Sequence, residues 1–413
     1  MHSHSSESHD DLPTRLAVKV VSSIIVALVI VLTTIGVIAL WPDSNAVPKD
    51  QNPYSGPGVS IIKATVTKSQ PLECGSGGEG PDGITEVAGK CADVTATTSS
   101  GTARFTLDAA RAKAGIEVGD KITVVKFAQQ GQPTAYEFYD FQRGLPLTLL
   151  AIAFAILVVA VARWRGLFAM VGIAVTLLAL TKFMLPAFLA GGNPLLVAVV
   201  GSTGIMLVVL YLAHGISIRT TSALFGTLAG LAITAVLGLG ASGWSHLTGI
   251  GSEDDTLLAA VAPLANISGV VAAAMVVAGL GVLNDVTVTQ ASAVWELRAA
   301  KPDAGALEIF ASAMRIGRDH IASSVYTLVF AYAGSAMTVL LLIVAYQRGL
   351  AEMATTEQIA QEVVRTLVGA IGLVLAVPIT TAFAVMMAPP PPDIQFQPPL
   401  AGPQPGRRRA TAN

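Results

Sequence analysis

The chain has 413 residues, of which 53% are apolar and 13% charged, about half the charged share of roughly 25% usual in soluble domains. That balance excludes a single soluble domain and reads as a membrane protein; at roughly 20 apolar residues per crossing, eight spans use about 160 residues and leave room for a water-exposed domain. A formal net charge of -2 names no partner, because charge in such a chain is distributed loop by loop.

Residues 1–15 open with His2, His4 and His9 among serines and acids. They could bind a transition metal weakly, but the composition reads better as a disordered cytoplasmic tail. The first apolar run, about Leu16 to Trp41, is too long for the core of a signal peptide and has no small-residue cleavage site before Pro42. It is expected to be a retained transmembrane anchor, residues 16–41.

Residues 42–143 begin with a linker rich in Pro, Asn and Gly, followed by short alternating runs at Ile61 to Thr67, Ala92 to Thr98, Ala103 to Leu107, Lys121 to Phe127 and Tyr136 to Phe141. Turn residues bound each run, which predicts a small extracytoplasmic β-barrel of about five strands. No aromatic stacking face or basic stripe accompanies them, so nucleic acid is not expected as a partner. The only two cysteines, Cys74 and Cys91, fall in this domain. They could be free thiols, but an oxidising compartment and about 3 kcal/mol of loop closure favour a disulfide. With two cysteines and no histidine here, no metal site is expected.

Further apolar runs fall at about Leu145 to Ala162, Leu167 to Leu189, Leu195 to Ala213, Ala223 to Ala241, Leu257 to past Leu283, Ile321 to Ala345 and Val364 to Met387. With the anchor they predict a polytopic α-helical membrane protein of about eight transmembrane helices, seven of them within residues 144–388. The tail 389–413 holds four consecutive prolines and ends in Arg407, Arg408 and Arg409, a composition for an extended segment held at an anionic leaflet. Basic residues in short loops mark the cytoplasm. With the amino terminus inside, the inner segments hold Arg15, Lys19, Arg163, Arg165, Arg219, Arg298, Lys301, Arg315, Arg318 and the three terminal arginines, against Arg348 and Arg365 in the outer loops. Both termini are therefore expected to be cytoplasmic, and the chain to be a multi-pass protein of the cell (inner or plasma) membrane.

Polar residues inside a bilayer are costly, and each is a functional candidate. Lys182 is near enough to the outer end of its span to snorkel, and Gly226 and Gly230 form a pair of small residues four apart that suits close helix packing. The segment from Gly279 to Arg298 differs, carrying Asn284, Asp285, Thr287, Thr289, Gln290, Ser292 and Glu296. A span at 257–283 leaves Asp285 at the inner interface, whereas a span at about 267–297 puts it inside the bilayer. On a helix Asp285, Thr289, Ser292 and Glu296 share one face, with Val286, Val288, Ala291, Ala293 and Val294 opposite and suited to lipid. Such a stripe would face other helices or a wet cavity, either as a proton relay or as hydrogen-bonding glue. Residues 302–318 read as an amphipathic helix on the inner surface, with Leu307, Phe310, Ala311, Met314 and Ile316 apolar, delivering Arg315, Arg318, Asp319 and His320 to the next span, followed by Ser323 and Ser324.

The strings GVLNDVTVTQASAVWEL (281–297) and RIGRDHIASSVYTLVFAYAG (315–334) resemble the two signature blocks of the YibE/F family of polytopic membrane proteins, whose amino-terminal plan of anchor, outer β-rich domain and multispan region is similar. The Gly-rich span running into Asn284-Asp285, then a surface helix and another span, also resembles the matching stretch of SecD and SecF and of proton-driven resistance-nodulation-division transporters. That resemblance implies a proton-coupling role for Asp285. Two extra early spans and a small outer domain depart from it.

Two function classes follow. One is a proton-coupled transporter or exporter of an unidentified small solute or ion, with Asp285 as coupling carboxylate. The other is a non-transporting accessory or scaffold protein whose outer domain binds a partner. The absence of HExxH, GxSxG, a phosphate-binding Gly loop or a paired acidic metal motif argues against an enzyme, and no cofactor is implied. The partners implied are the lipid bilayer, a small solute or ion, or a protein at the outer domain, with a homo-oligomer left open.

Overall fold

Leu16–Ala39 holds no proline and forms α1, about 36 Å long at 1.5 Å per residue and enough to cross a bilayer. The computed structural model describes residues 16–49, 54, 56–74, 89–128, 131, 133–347 and 349–389. The expectations for the two tails, with His2, His4, His9 and Arg407 to Arg409, and for part of the 42–58 linker lie outside the described residues.

The chain divides into two compact units, residues 47–170 and residues 1–46 with 171–413. In the first, strands β1 (Val59–Cys74), β2 (Gly89–Thr98), β3 (Gly101–Leu107), β4 (Lys121–Phe127) and β5 (Ala135–Phe141) form one antiparallel sheet in the order β3-β2-β1-β4-β5. Alternate residues point inward, and Val66, Val94, Phe105, Leu107, Ile122, Val124 and Phe138 make the core. Bulges at Thr67 in β1 and at Tyr139 in β5 bend the strands. The sheet curls until the Phe105 and Phe138 rings of its edge strands lie 6.2 Å apart. The edges meet through side chains and not through a hydrogen-bonded ladder, so the expected barrel is an open half-barrel. The one-turn helix α2 (Ala109–Ala112) is capped by Asp108, and its Arg111 lies over the Phe138 ring.

Strands β1 and β2 run further than their alternation suggested, and their far ends are joined by the Cys74–Cys91 disulfide. Closing a loop of this length, with a sequence separation of 17, contributes about 3 kcal/mol. The Cys74→Ser/Cys91→Ser protein should therefore lose its outer domain to limited proteolysis faster than wild type. Equal rates would show that the sheet does not depend on the bridge. Where β5 leaves the sheet, Arg143 Nη1 lies 2.7 Å from both Asp140 oxygens. These bonds, with one from the Phe141 amide, hold the Asp140 carboxyl below its ordinary value. The small stabilisation is complete above the ordinary carboxylate range and lost as pH falls through the depressed one.

Among the described residues six helices are long and apolar enough to cross a membrane: α1; α3 (Gly144–Ala179) continuing through a π-helical turn (Leu180–Met184) into α4 (Leu185–Leu189); α5 (Pro194–His214); α6 (Ile218–Trp244); α8 (Ile267–Ala300); and α12 (Glu357–Met387). A seventh span is available if α9 (Ala306–Ser335) and α10 (Met337–Ala345), bent by 64° at their junction, count as one. Short helices α7 (Glu253–Val261) and α11 (Leu350–Ala354) lie in loops. The protein is membrane-embedded and mainly helical.

The expected surface helix at 302–318 is instead continuous with the next span as the single 30-residue α9. Its packed line is Ile309, Ala313, Gly317, Ser324 and Leu328, while Leu307, Ala311 and Ile316 are exposed. Small residues spaced for close contact with a neighbouring helix prevail over the larger residues of the amphipathic reading. In the second unit α6, α8 and α12 pack together centrally; α9 lies against α8 and α12, α5 against α8 and α6, and α1 against α5. The centre is tight because glycines face it: Gly226 abuts Thr380, Gly230 abuts Leu283 and Ala376, and Gly372 abuts Thr234. Gly226 and Gly230 thus do the packing their spacing suggested.

Candidate functional site

Pro263 disfavours helix at the residue before it and separates α7 from α8, which starts at Ile267 with Asn266 Oδ1 accepting from the Gly269 amide at 2.9 Å. The apolar run from Leu257 is therefore two elements, and Asp285 sits inside a continuous helix, not at the start of a loop.

The orientation of that helix reverses the expected one. Val286, Ala291 and Val294 are buried in the bundle, whereas Asp285, Thr289 and Glu296 are exposed and Ser292 is half-buried. The packed face carries Thr287 and Gln290 as well, and both are paired. Thr287 Oγ1 lies 2.6 Å from Thr227 Oγ1 of α6. Gln290 Nε2 donates to the Ala313 carbonyl of α9 at 3.0 Å and to Thr381 Oγ1 of α12 at 2.8 Å. Gly317 leaves room for that amide, since a Cβ there would lie 2.9 Å from Gln290 Oε1. Two of the seven polar positions singled out on α8 thus tie four helices together, and a satisfied buried amide is what such packing requires.

Continuous α9 brings His320 to Asp285, with Nε2 3.6 Å from Oδ2. The aspartate side chain is 70% exposed and the histidine 30%. The His320 Nε2 and Asn284 Oδ1 atoms are themselves buried without a hydrogen bond. Arg318, Asp319 and Ser323 are exposed on α9 and make no hydrogen bond or ion pair to the stripe. Sequence reasoning missed Thr227 and Thr381, although Thr227 and Thr234 recur at a helical interval on the face of α6 that carries Gly226 and Gly230. Arg298, counted in the sequence as an inner-loop cation, is instead buried on α8 and donates to the Ala304 carbonyl at 2.6 Å, tying down the turn between α8 and α9.

The register between α6 and α8 sets the level of the Asp285–His320 pair. Gly238 faces Met275, Gly279 faces Thr234 and Gly230 faces Leu283, so the helices run antiparallel in step. Arg219 of α6 and Trp295 of α8 line one cavity and mark one level. Thr227 and Thr287 are each eight residues, about 12 Å, from that level, and Asp285 is about 3 Å further on. Asp285 therefore lies about 15 Å along the bundle axis from Arg219.

Residues 150–390, well over half of the chain, match the family described as YibE/F-like protein. The chain belongs to this family. The match takes in α5 to α12 and with them the Asp285–His320 pair and the Thr227–Thr287 and Gln290–Thr381 contacts. No curated protein and no solved structure matches the chain, so the YibE/F-like assignment stands on the family match.

Proposed function

We propose that this YibE/F-like protein is a proton-coupled transporter or exporter of a small solute or ion, in which the Asp285–His320 pair is the protonatable switch. The observation that carries this reading is the 3.6 Å pair on α8 and α9, about 15 Å from the Arg219 level in a hydrocarbon core about 30 Å thick. With Arg219 at the inner interface, the pair lies near the bilayer centre. A carboxylate there costs about 2.5–3.5 kcal/mol, and a neighbouring imidazole offsets that cost only for some proton counts. One proton shared by the two groups leaves the pair neutral overall, whereas removing it or adding a second leaves a net charge. The proton count thereby biases which side the face is exposed to, as coupling requires. Because the stripe looks out of the bundle, we take it to be covered by a second copy of the chain. Cysteines at Thr289 or Glu296 should then cross-link between copies.

The membrane plan proposed with it has eight crossings. The Gly144–Leu189 helix has 46 residues, about 69 Å and more than twice the hydrocarbon thickness. Arg163 leaves the helical region (φ 55°, ψ -133°), and Gly166 sits against the Val158 carbonyl, so the chain doubles back there. The six long helices with this one counted twice, plus the bent α9–α10 pair, make eight. The basic inner loops then put both termini in the cytoplasm and the β-domain outside. An impermeant thiol reagent applied to intact cells should label Asp254→Cys and spare Lys301→Cys; the opposite pattern would reject this plan. Proton flux into proteoliposomes, wild type against Asp285→Asn, tests the coupling role.

A further inference from the structure

Beside α1 lies a cavity of about 580 Å³ that the coupling pair does not use. Lys19 of α1 and Arg219 of α6 bring two cations to its rim, and Ser23, Ser217 and Tyr211 add hydroxyls. Trp295 of α8, nearly buried, forms part of the wall. The lining changes along α1: past Lys19 and Ser22 it becomes Val26, Ala27 and Ile30. From Lys19 to Ile30 the helix rises about 16 Å. One end of the cavity thus offers charge and hydrogen bonds at the level of Arg219, and the other leads along an apolar wall toward the membrane interior.

We propose that this cavity is a binding site for an anionic glycerophospholipid of the leaflet at the Lys19 end, with the phosphate between Lys19 and Arg219 and an acyl chain along Val26, Ala27 and Ile30. A soluble anion would use the cations but not the apolar wall, and a zwitterionic lipid would bring its own cation to two others. Arg219 supplies a planar fork suited to phosphate oxygens and Lys19 a flexible point charge. Basic pockets between transmembrane helices at the inner interface recognise anionic headgroups in this way. The volume falls within the range of small-ligand sites. Because α1 touches the bundle mainly through α5, a lipid here would also fill the gap between α1 and α6. The site is about 15 Å along the axis from Asp285 and does not depend on the coupling proposal.

Native mass spectrometry of the detergent-purified full-length protein tests this, after incubation with phosphatidylglycerol or phosphatidylcholine of the same acyl chains. Phosphatidylglycerol should be retained in preference, and Lys19→Gln and Arg219→Gln should each weaken its retention roughly five-fold. As a second readout, phosphatidylglycerol with brominated acyl chains should quench the fluorescence of a variant in which Trp295 is the remaining tryptophan, and brominated phosphatidylcholine should quench it less. Equal retention of the two lipids by wild type would overturn the proposal. So would retention unchanged in the charge variants, or displacement of the lipid by millimolar inorganic phosphate, which would mark a site for free anions.

Discussion

Asp285→Asn protein reconstituted into vesicles should pass no protons above background under an imposed pH gradient, while wild type responds with a flux that depends on pH. The substitution keeps the shape of the side chain and a hydrogen-bond acceptor near His320, 3.6 Å away in the wild type, but removes the site that gains and loses a proton. Folding should survive, because Asp285 is largely exposed and the packed face of α8 is held by Thr287 and Gln290. An unchanged melting temperature with lost flux would separate the coupling role from a structural one. His320→Gln should alter the pH dependence of the flux, because it removes the second protonatable group of the pair. If Asp285→Asn transports as wild type does at every pH, the pair is helix glue and the coupling role fails.

The largest effect on stability is expected at Gly226. A Cβ at this position would overlap Thr380 Oγ1, and would meet Thr380 Cβ at 2.7 Å and Cγ2 at 2.9 Å. Thr380 is fully buried and donates to the Ala376 carbonyl at 2.7 Å, so it has little room to move aside. Overpacking of this kind costs about 1–3 kcal/mol for a methyl, and Gly226→Val should exceed that and separate α6 from α12. Thermal unfolding in detergent reads the effect. Thr380→Ala removes two of the three crowding atoms and should recover part of the loss in Gly226→Ala, a non-additivity that independent sites would not show. Gly240 on the same helix has open space around its Cβ position. Gly240→Ala should be neutral or stabilising by up to about 1 kcal/mol, since alanine is the better helix former. Equal destabilisation at Gly226 and Gly240 would mean that the α6–α12 contact is not what holds the bundle.

Much of the architecture was legible in residue order. Apolar runs of bilayer length located the long helices because the bilayer imposes a length and tolerates few charges within it. Alternation located the five strands, since one face of a sheet must be apolar. Gly226 and Gly230 announced close packing because glycines four apart put two missing side chains on one side of a helix. Asp285 and His320 stood out as ionisable groups in apolar surroundings. The break before α8 was also readable, in Pro263 and the Asn266 cap, and it decides for the span at about 267–297 over the one at 257–283.

The sequence by itself determined the class of protein, the approximate places of most long helices and of the strands, and which few polar residues demand an account, because these depend on local composition and period. Only the tertiary structure decided which way each face points. Thr289 and Glu296 look like one continuous stripe with Asp285, and Thr287 and Gln290 look like its neighbours, but α8 turns the latter two inward because Thr227, Ala313 and Thr381 can satisfy them. The pairing of Asp285 with His320, 35 residues apart in the chain, and their level relative to Arg219 likewise follow from the register of packed helices. That register depends on contacts between distant residues, to which no local period gives access.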